Sequence, residues 1–248
     1  MKKTILILLT FLGTTIAKAQ NWGGGIDEQD FNWGFSFQYI SSEYKIVKKP
    51  DWRTPFSDYE QNGRIITDRL MSISSPSSVG FGIGFVLNYR LNNNLDLRST
   101  PTLVFSDRLV DYKYETPAIY NTAFSEKQQK VQATLVDFPL GIKVKSDRRK
   151  DFRAYFLLGA KYSIDLASGK KSKDAEFALI DKLLKNKKGF ASYEAGIGFD
   201  LYFEYFKMSP EIKVSQSFRD VLKHENHPYA TPIEKAILRN FTFSLFFE

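Results

Sequence analysis

Apolar and polar residues alternate with a period of two along most of the chain, the pattern of strands whose two faces meet different surroundings. Four stretches carry it clearly. Val79, Phe81, Ile83, Phe85, Leu87 and Tyr89 stand against Gly80, Gly82, Gly84, Asn88 and Arg90. Phe152, Phe156, Leu158, Tyr162 and Ile164 alternate with Arg153, Gly159, Lys161 and Asp165. Tyr193, Ile197, Phe199, Leu201 and Phe203 alternate with Glu194, Gly196, Gly198, Asp200 and Glu204. Ile237, Phe241, Phe243, Leu245 and Phe247 face away from Asn240, Thr242 and Ser244. Weaker alternation over Trp33–Tyr39, Leu95–Phe105, Val136–Lys145 and Met208–Ser215 completes a set of eight predicted strands.

The connections between them sort by length. Asn92-Asn93-Asn94, Ser146 to Asp151 and Glu204-Tyr205-Phe206 are short, whereas 47–78, 107–129, 166–188 and 219–236 are long. The two kinds alternate strictly, as do the short periplasmic turns and long external loops of bacterial outer-membrane barrels. The predicted fold is all-β: an eight-stranded antiparallel transmembrane β-barrel, an up-and-down meander with both termini on the periplasmic side. Within the third long connection, Asp174 to Leu184 has apolar residues at helical spacing and predicts a short surface helix. Pro101, Pro139 and Pro210 fall inside predicted strands, where each removes a ladder donor, so bulges or shorter strands are expected there.

Alternation alone leaves open which face points inward. A soluble, lipocalin-like barrel is apolar inside; a membrane barrel reverses this. Three features favour the membrane version. Glycines share a face with the charges, which suits a crowded lumen. The 22 Phe and 13 Tyr concentrate on the apolar faces, often near strand ends, as interfacial girdles do. The chain also finishes on an alternating aromatic strand, Phe241 to Phe247.

The N-terminus points to export. Lys2 and Lys3 precede a mostly apolar run, Thr4 to Ile16, and Ala17-Lys18-Ala19 offers small residues for cleavage before Gln20. Residues 1–19 are therefore expected to be a signal peptide and residues 20–248 the outer-membrane barrel domain. Cleavage removes three lysines, so the 35 basic residues that face 28 acidic ones lose three. The mature chain is thus only slightly basic, which argues against a nucleic-acid partner. The absence of Cys excludes a disulfide framework, thiolate chemistry and a lipoprotein anchor.

Candidate chemistry is sparse. An eight-stranded barrel has an interior just wide enough for side chains, so a diffusion pore is not expected. Arg153, Lys161, Glu194, Asp200, Glu204, Glu211 and Lys213 are expected to form a polar plug of paired charges in the lumen. Gly80-x-Gly82-x-Gly84 has period two and no following helix N-terminus, so it reads as lumen space rather than a phosphate loop. His224 and His227 both lie in the fourth long connection without the spacing of a zinc motif, and are expected to be exposed. No catalytic residue, metal ligand or cofactor site stands out. Asn240-Phe241-Thr242 matches a glycosylation triplet but lies in a strand.

Two segments add a resemblance. DFPLGIKVKSDRRKDFRAYFLLGAKYSIDLASGKKS, from Asp137 to Ser172, and SYEAGIGFDLYFEYFKMSPEIKVSQSFRDVL, from Ser192 to Leu222, resemble the central signature of the PorT family of Bacteroidetes outer-membrane proteins. The more specific pieces are Phe-Pro-Leu at 138–140, Lys-Tyr-Ser-x-Asp-Leu-Ala-Ser at 161–168 and Ser-Pro-Glu-Ile-Lys at 209–213; generic barrels of that phylum share the first. The likeness extends loosely to about two-thirds of the mature chain. It implies a component of the type IX secretion system, which exports folded cargo and supports gliding motility in some species. It implies no catalytic residues and assigns no binding residue. Expected partners are outer-membrane lipid and proteins of the secretion machinery. A structural or adhesive barrel, a lipid-modifying enzyme and a soluble ligand-binding barrel are the competing classes.

Overall fold

The computed structural model describes residues 25, 27, 29–58, 63–116, 118, 119, 124–167 and 177–248. The expected signal peptide, 1–19, lies outside the described residues. In chain order the strands are β1 Phe31–Lys48, β2 Ser57–Asp58, β3 Arg64–Ile65, β4 Leu70–Ser74, β5 Ser78–Arg90, β6 Leu95–Ser99 and β7 Thr102–Ser106. They continue with β8 Arg108–Tyr114, β9 Glu126–Val131, β10 Thr134–Lys145, β11 Phe152–Asp165, β12 Gly189–Tyr202, β13 Lys207–Ser217 and β14 Ile233–Phe247.

The main sheet is a meander in which neighbours in sequence are neighbours in space. From β10 the ladder runs through β11, β12, β13 and β14 to β1, and β1 also pairs with β5. β6 and β7 each pair with both β5 and β10, so together they act as one interrupted strand. The ladder therefore returns on itself as a ring of eight, with every pairing antiparallel. Several members exceed the 9–11 residues a tilted strand needs to cross a bilayer: β1 has 18 residues and β14 has 15.

The prolines explain where the wall is broken. Pro101 sits in the two-residue gap between β6 and β7. Pairing of β10 stops at Asp137↔Thr102 and resumes at Leu140↔Ser99, so Pro139 faces the same gap. The β12–β13 ladder skips from Gly198↔Glu211 to Leu201↔Met208, and Pro210 lies in that skip. At Pro139 and Pro210 the missing donor falls where one ladder is already open while the opposite ladder runs through, Pro139 opposing Lys161 and Pro210 opposing Leu245; at Pro101 both ladders are open.

Alternation resolves as polar inside and apolar outside through most of the wall. Phe35, Phe81, Leu140, Leu158, Ile197 and Phe243 are exposed on the outer face; Asn88, Arg98, Lys143, Glu194, Asp200 and Glu211 are buried. An apolar band this continuous far exceeds the patches soluble proteins show. Inward glycines set the packing of the wall. A Cβ on Gly84 would lie 2.5 Å from the Pro101 carbonyl, and one on Gly198 2.4 Å from the Tyr155 ring. The Gly80–Gly84 stretch is therefore a matter of space, as its period suggested.

Two expectations are corrected. The connection 107–129 is not simply a loop: β8 and β9 form a hairpin that prolongs β7 and β10 beyond the ring, and β4 from the first connection pairs onto it. The reason is burial: Val110, Tyr112 and Tyr114 alternate inward against Leu70 and Ile73. The helix expected over 174–184 is absent from its described part, which holds only a 3-10 turn, Leu179–Asp181; residues 174–176 lie outside the described residues. Leu184 is buried in the apolar core rather than lying on the surface, so tertiary packing outweighs the helical spacing.

Candidate functional site

The turn-side half of the interior is filled by ion pairs carried on inward positions of β6, β10, β12 and β13 and on Glu248. Arg98 on β6 is its centre. Its Nη1 donates to Glu211 Oε2 at 2.9 Å and its Nε to Asn88 Oδ1 at 2.8 Å. Its guanidinium lies 4.8 Å from the Phe246 ring centroid and 5.1 Å from that of Tyr155. The Tyr155 hydroxyl also donates to Glu211 Oε2, at 3.0 Å. Beside it, Lys143 Nζ bonds both oxygens of Asp200 at 2.7 Å, and Ser209 Oγ donates to Asp200 Oδ1 at 2.6 Å. Lys145–Asp96 and Lys207–Glu248 close at 2.5 Å each. Deeper toward the loops lie Lys161–Asp137 at 2.7 Å and Lys213–Glu194 at 3.4 Å. Buried charges hold only when paired and hydrogen-bonded, and each of these six cations has its carboxylate; Arg108, buried farther toward the loops, has none among the described residues.

The turn-side mouth is covered by the segment before β1. Asp27 accepts from the Tyr202 hydroxyl at 3.1 Å and lies 3.5 Å from Arg148 and 3.7 Å from Arg153. Two small cavities of about 10 Å³ remain inside, one bordered by Gln38, Asp137 and Glu194, the other by Asp27, Asn88 and Asp96. Each has room for about one water molecule. Among the described residues this part of the interior is a packed plug, too tight for a solute to pass.

At the opposite end the interior is largely apolar, built around the buried Arg108 and a Tyr44–Asn186 hydrogen bond. Ile40, Tyr44, Val104, Leu135, Ile233 and Leu238 from the wall meet Tyr112, Leu184, Leu222 and Tyr229 from the long connections. Tyr112 donates to the Tyr229 carbonyl at 2.7 Å, and the Tyr229 hydroxyl donates to the Ile180 carbonyl at 2.7 Å. Burial pushes the Tyr229 hydroxyl up to about 12. Asp220 ties the fourth connection down, accepting from the backbone N–H of Ala236 at 2.8 Å and Leu222 at 3.2 Å, and from Lys187. Partial burial would raise its pKa; those hydrogen bonds outweigh burial and hold it below the ordinary range. His224 is exposed beside it, Nε2 at 3.1 Å from Asp220 Oδ2.

A family model described as an outer membrane protein beta-barrel domain matches residues 10–223. The chain belongs to that family. Its wall, with an apolar outside and a charged inside, therefore sits in the outer membrane. Among solved structures, Ail of Yersinia pestis, in complex with the heparin analogue sucrose octasulfate, is 11% identical with a TM-score of 0.37, covering 88% of this chain and 99% of its own. OprG of Pseudomonas aeruginosa is 14% identical with a TM-score of 0.39, covering 86% and 94%. The protease OmpT of Escherichia coli is 10% identical with a TM-score of 0.27, covering 88% and 93%. The family model carries the membership, not these distant likenesses. No curated protein matches the sequence.

Within this outer-membrane barrel the residues expected in the lumen fare unequally. Lys161, Glu194, Asp200, Glu211 and Lys213 are in the plug, and Arg153 stands at its mouth. Glu204 is not: β12 ends at Tyr202, and Glu204 is exposed in the following turn. Arg98 and Lys143, the two cations at the heart of the barrel's plug, were not singled out, although parity with Asp96 and Lys145 puts them on the same face. His227 corrects the expectation of an exposed loop histidine. It is fully buried, with its Nδ1 accepting from the Tyr229 N–H at 3.3 Å, because the fourth connection folds into the core.

Proposed function

We propose that this outer-membrane barrel supports type IX protein secretion, assisting the assembly or operation of the translocon without being its conduit. It crosses the membrane as eight strands, with short turns periplasmic, long connections external and residues 1–19 removed on export. The observation that carries the non-conduit part is the interior, occupied by ion pairs at one end and by an apolar core at the other. The secretion part rests on the resemblance of 137–172 and 192–222 to PorT-family sequences. The barrel acts through protein partners that meet its external connections or its lipid-facing wall, with no catalytic role and no nucleic acid. The test is a clean deletion with cargo followed in periplasm and medium: periplasmic accumulation, reversed by complementation, is expected. Unchanged export would leave a structural or adhesive barrel.

One observation favours a second reading. The His224–Asp220 contact is exposed on an external connection, as a general base with its orienting carboxylate would be. A lipid-modifying enzyme would lose activity in His224→Ala; the secretion reading expects export to be unchanged by it.

A further inference from the structure

Arg108 opens β8 where the lumen passes from the charged plug to the apolar core, and parity with Val110, Tyr112 and Tyr114 turns its side chain inward. It is 1% exposed, and among the described residues neither its Nε nor its Nη1 has a hydrogen-bond partner. It borders a cavity of about 10 Å³ that Lys161, Lys213, Asp137, Glu194 and Ser42 also line. Lys161 is matched by Asp137 and Lys213 by Glu194. Those pairs cancel, so the positive charge left over at the cavity is that of Arg108. Asp165, buried in the same half, accepts from the Ala167 N–H and forms no ion pair with Arg108.

We infer that this cavity binds one chloride ion, held by the Arg108 guanidinium and enclosed when the barrel folds. A guanidinium cannot shed its proton to escape burial, as a lysine can. Asp137 Oδ1 and Glu194 Oε2 also lack partners among the described residues, and a water molecule could bridge them to Arg108. Water would satisfy the N–H groups but leave the charge uncompensated, whereas an anion does both. The excess charge therefore decides for the anion. The cavity has room for about one water-sized body, which admits a monatomic anion and excludes phosphate, sulfate and carboxylates. Ser42 adds a donor: its Oγ lies 2.9 Å from Ser106 Oγ, a contact that uses one of the two hydroxyl hydrogens and leaves the other to turn to the ion. The site belongs to the folded barrel and does not rest on a part in secretion.

The test is urea unfolding of the full chain, folded in detergent, with chloride or gluconate at equal ionic strength. Raising chloride to about ten times its dissociation constant should lower the unfolding equilibrium constant roughly tenfold. Gluconate, too large to enter, should leave it unchanged. Arg108→Met keeps the stem without the charge and should abolish the chloride dependence. Crystals of the native chain grown in bromide should show one anomalous peak in contact with Arg108, and that peak decides alone if Arg108→Met does not fold. Three outcomes overturn the proposal: stability indifferent to chloride, a chloride dependence that survives in Arg108→Met, or density beside Arg108 with no anomalous signal, which would make a water the occupant.

Discussion

The two halves of the barrel interior solve the same packing problem with opposite chemistry. Toward the short turns, Arg98, Lys143, Lys145 and Lys207 are neutralised within the wall by Glu211, Asp200, Asp96 and Glu248. All of these groups are on ring strands or the residue just beyond β14, so the plug is complete once the wall closes. Toward the long connections, wall residues such as Ile40 and Leu135 meet Leu184, Leu222 and Tyr229, which arrive from outside the ring. That half is complete only when the connections fold inward. The contrast teaches that a ring of this size supplies its own polar core on one side and depends on its loops on the other.

Breaking the polar half should cost most. Arg98→Met leaves Glu211 buried with only Lys213, 4.0 Å away, for a cation, and is expected to lower stability by about 3–5 kcal/mol in urea unfolding. The double variant Arg98→Met/Glu211→Leu should recover part of that loss; if it is as unstable as the single variant, the pair is not the unit. Leu222→Ala should cost about 2–5 kcal/mol, but with a different signature. Hydrogen exchange should rise in β4, β8 and 219–232 while the ring strands stay protected. Equal exposure of both would mean the halves are one cooperative unit.

Acid should separate the halves more gently. Asp220 has a depressed pKa, so its contribution is present above the unfolded value of about 4 and is lost as pH falls through the lower folded one. The fourth connection is therefore expected to loosen, by hydrogen exchange, as the pH drops below that range. Asp220→Asn should remove this pH dependence; an unchanged profile would assign it elsewhere. The smallest effect is expected for His224→Ala, within about 0.5 kcal/mol for an exposed site. His227→Ala, at a fully buried ring, should destabilise clearly more.

Much of the wall was legible before folding. Val79 to Arg90 was expected as a strand and forms β5, Ser78–Arg90, because alternation of large apolar and small or polar residues has one satisfactory arrangement in a ring. The prolines were legible as trouble but not as its location, since which ladder opens depends on the neighbouring strand. Glu204 misled because parity continues past Tyr202 while the strand does not. The β8–β9 hairpin was missed although Val110, Tyr112 and Tyr114 alternate, because a long connection was read as one loop. The anion site was invisible for a simpler reason. Ser42, Arg108 and Lys213 lie far apart in sequence and come to border one cavity only through register.

By itself, the sequence determined which residues face lipid and which face the lumen along each strand, because a period of two allows only two assignments and aromatics choose between them. It also determined that part of the lumen would be charged. Only the tertiary structure decided which cation meets which carboxylate, as with Arg98 and Glu211, 113 positions apart. It also decided that His227 and Leu184 would leave their loops for the core. Pairings of that kind depend on strand register and on loop closure, which are properties of the closed ring and appear in no local stretch of chain.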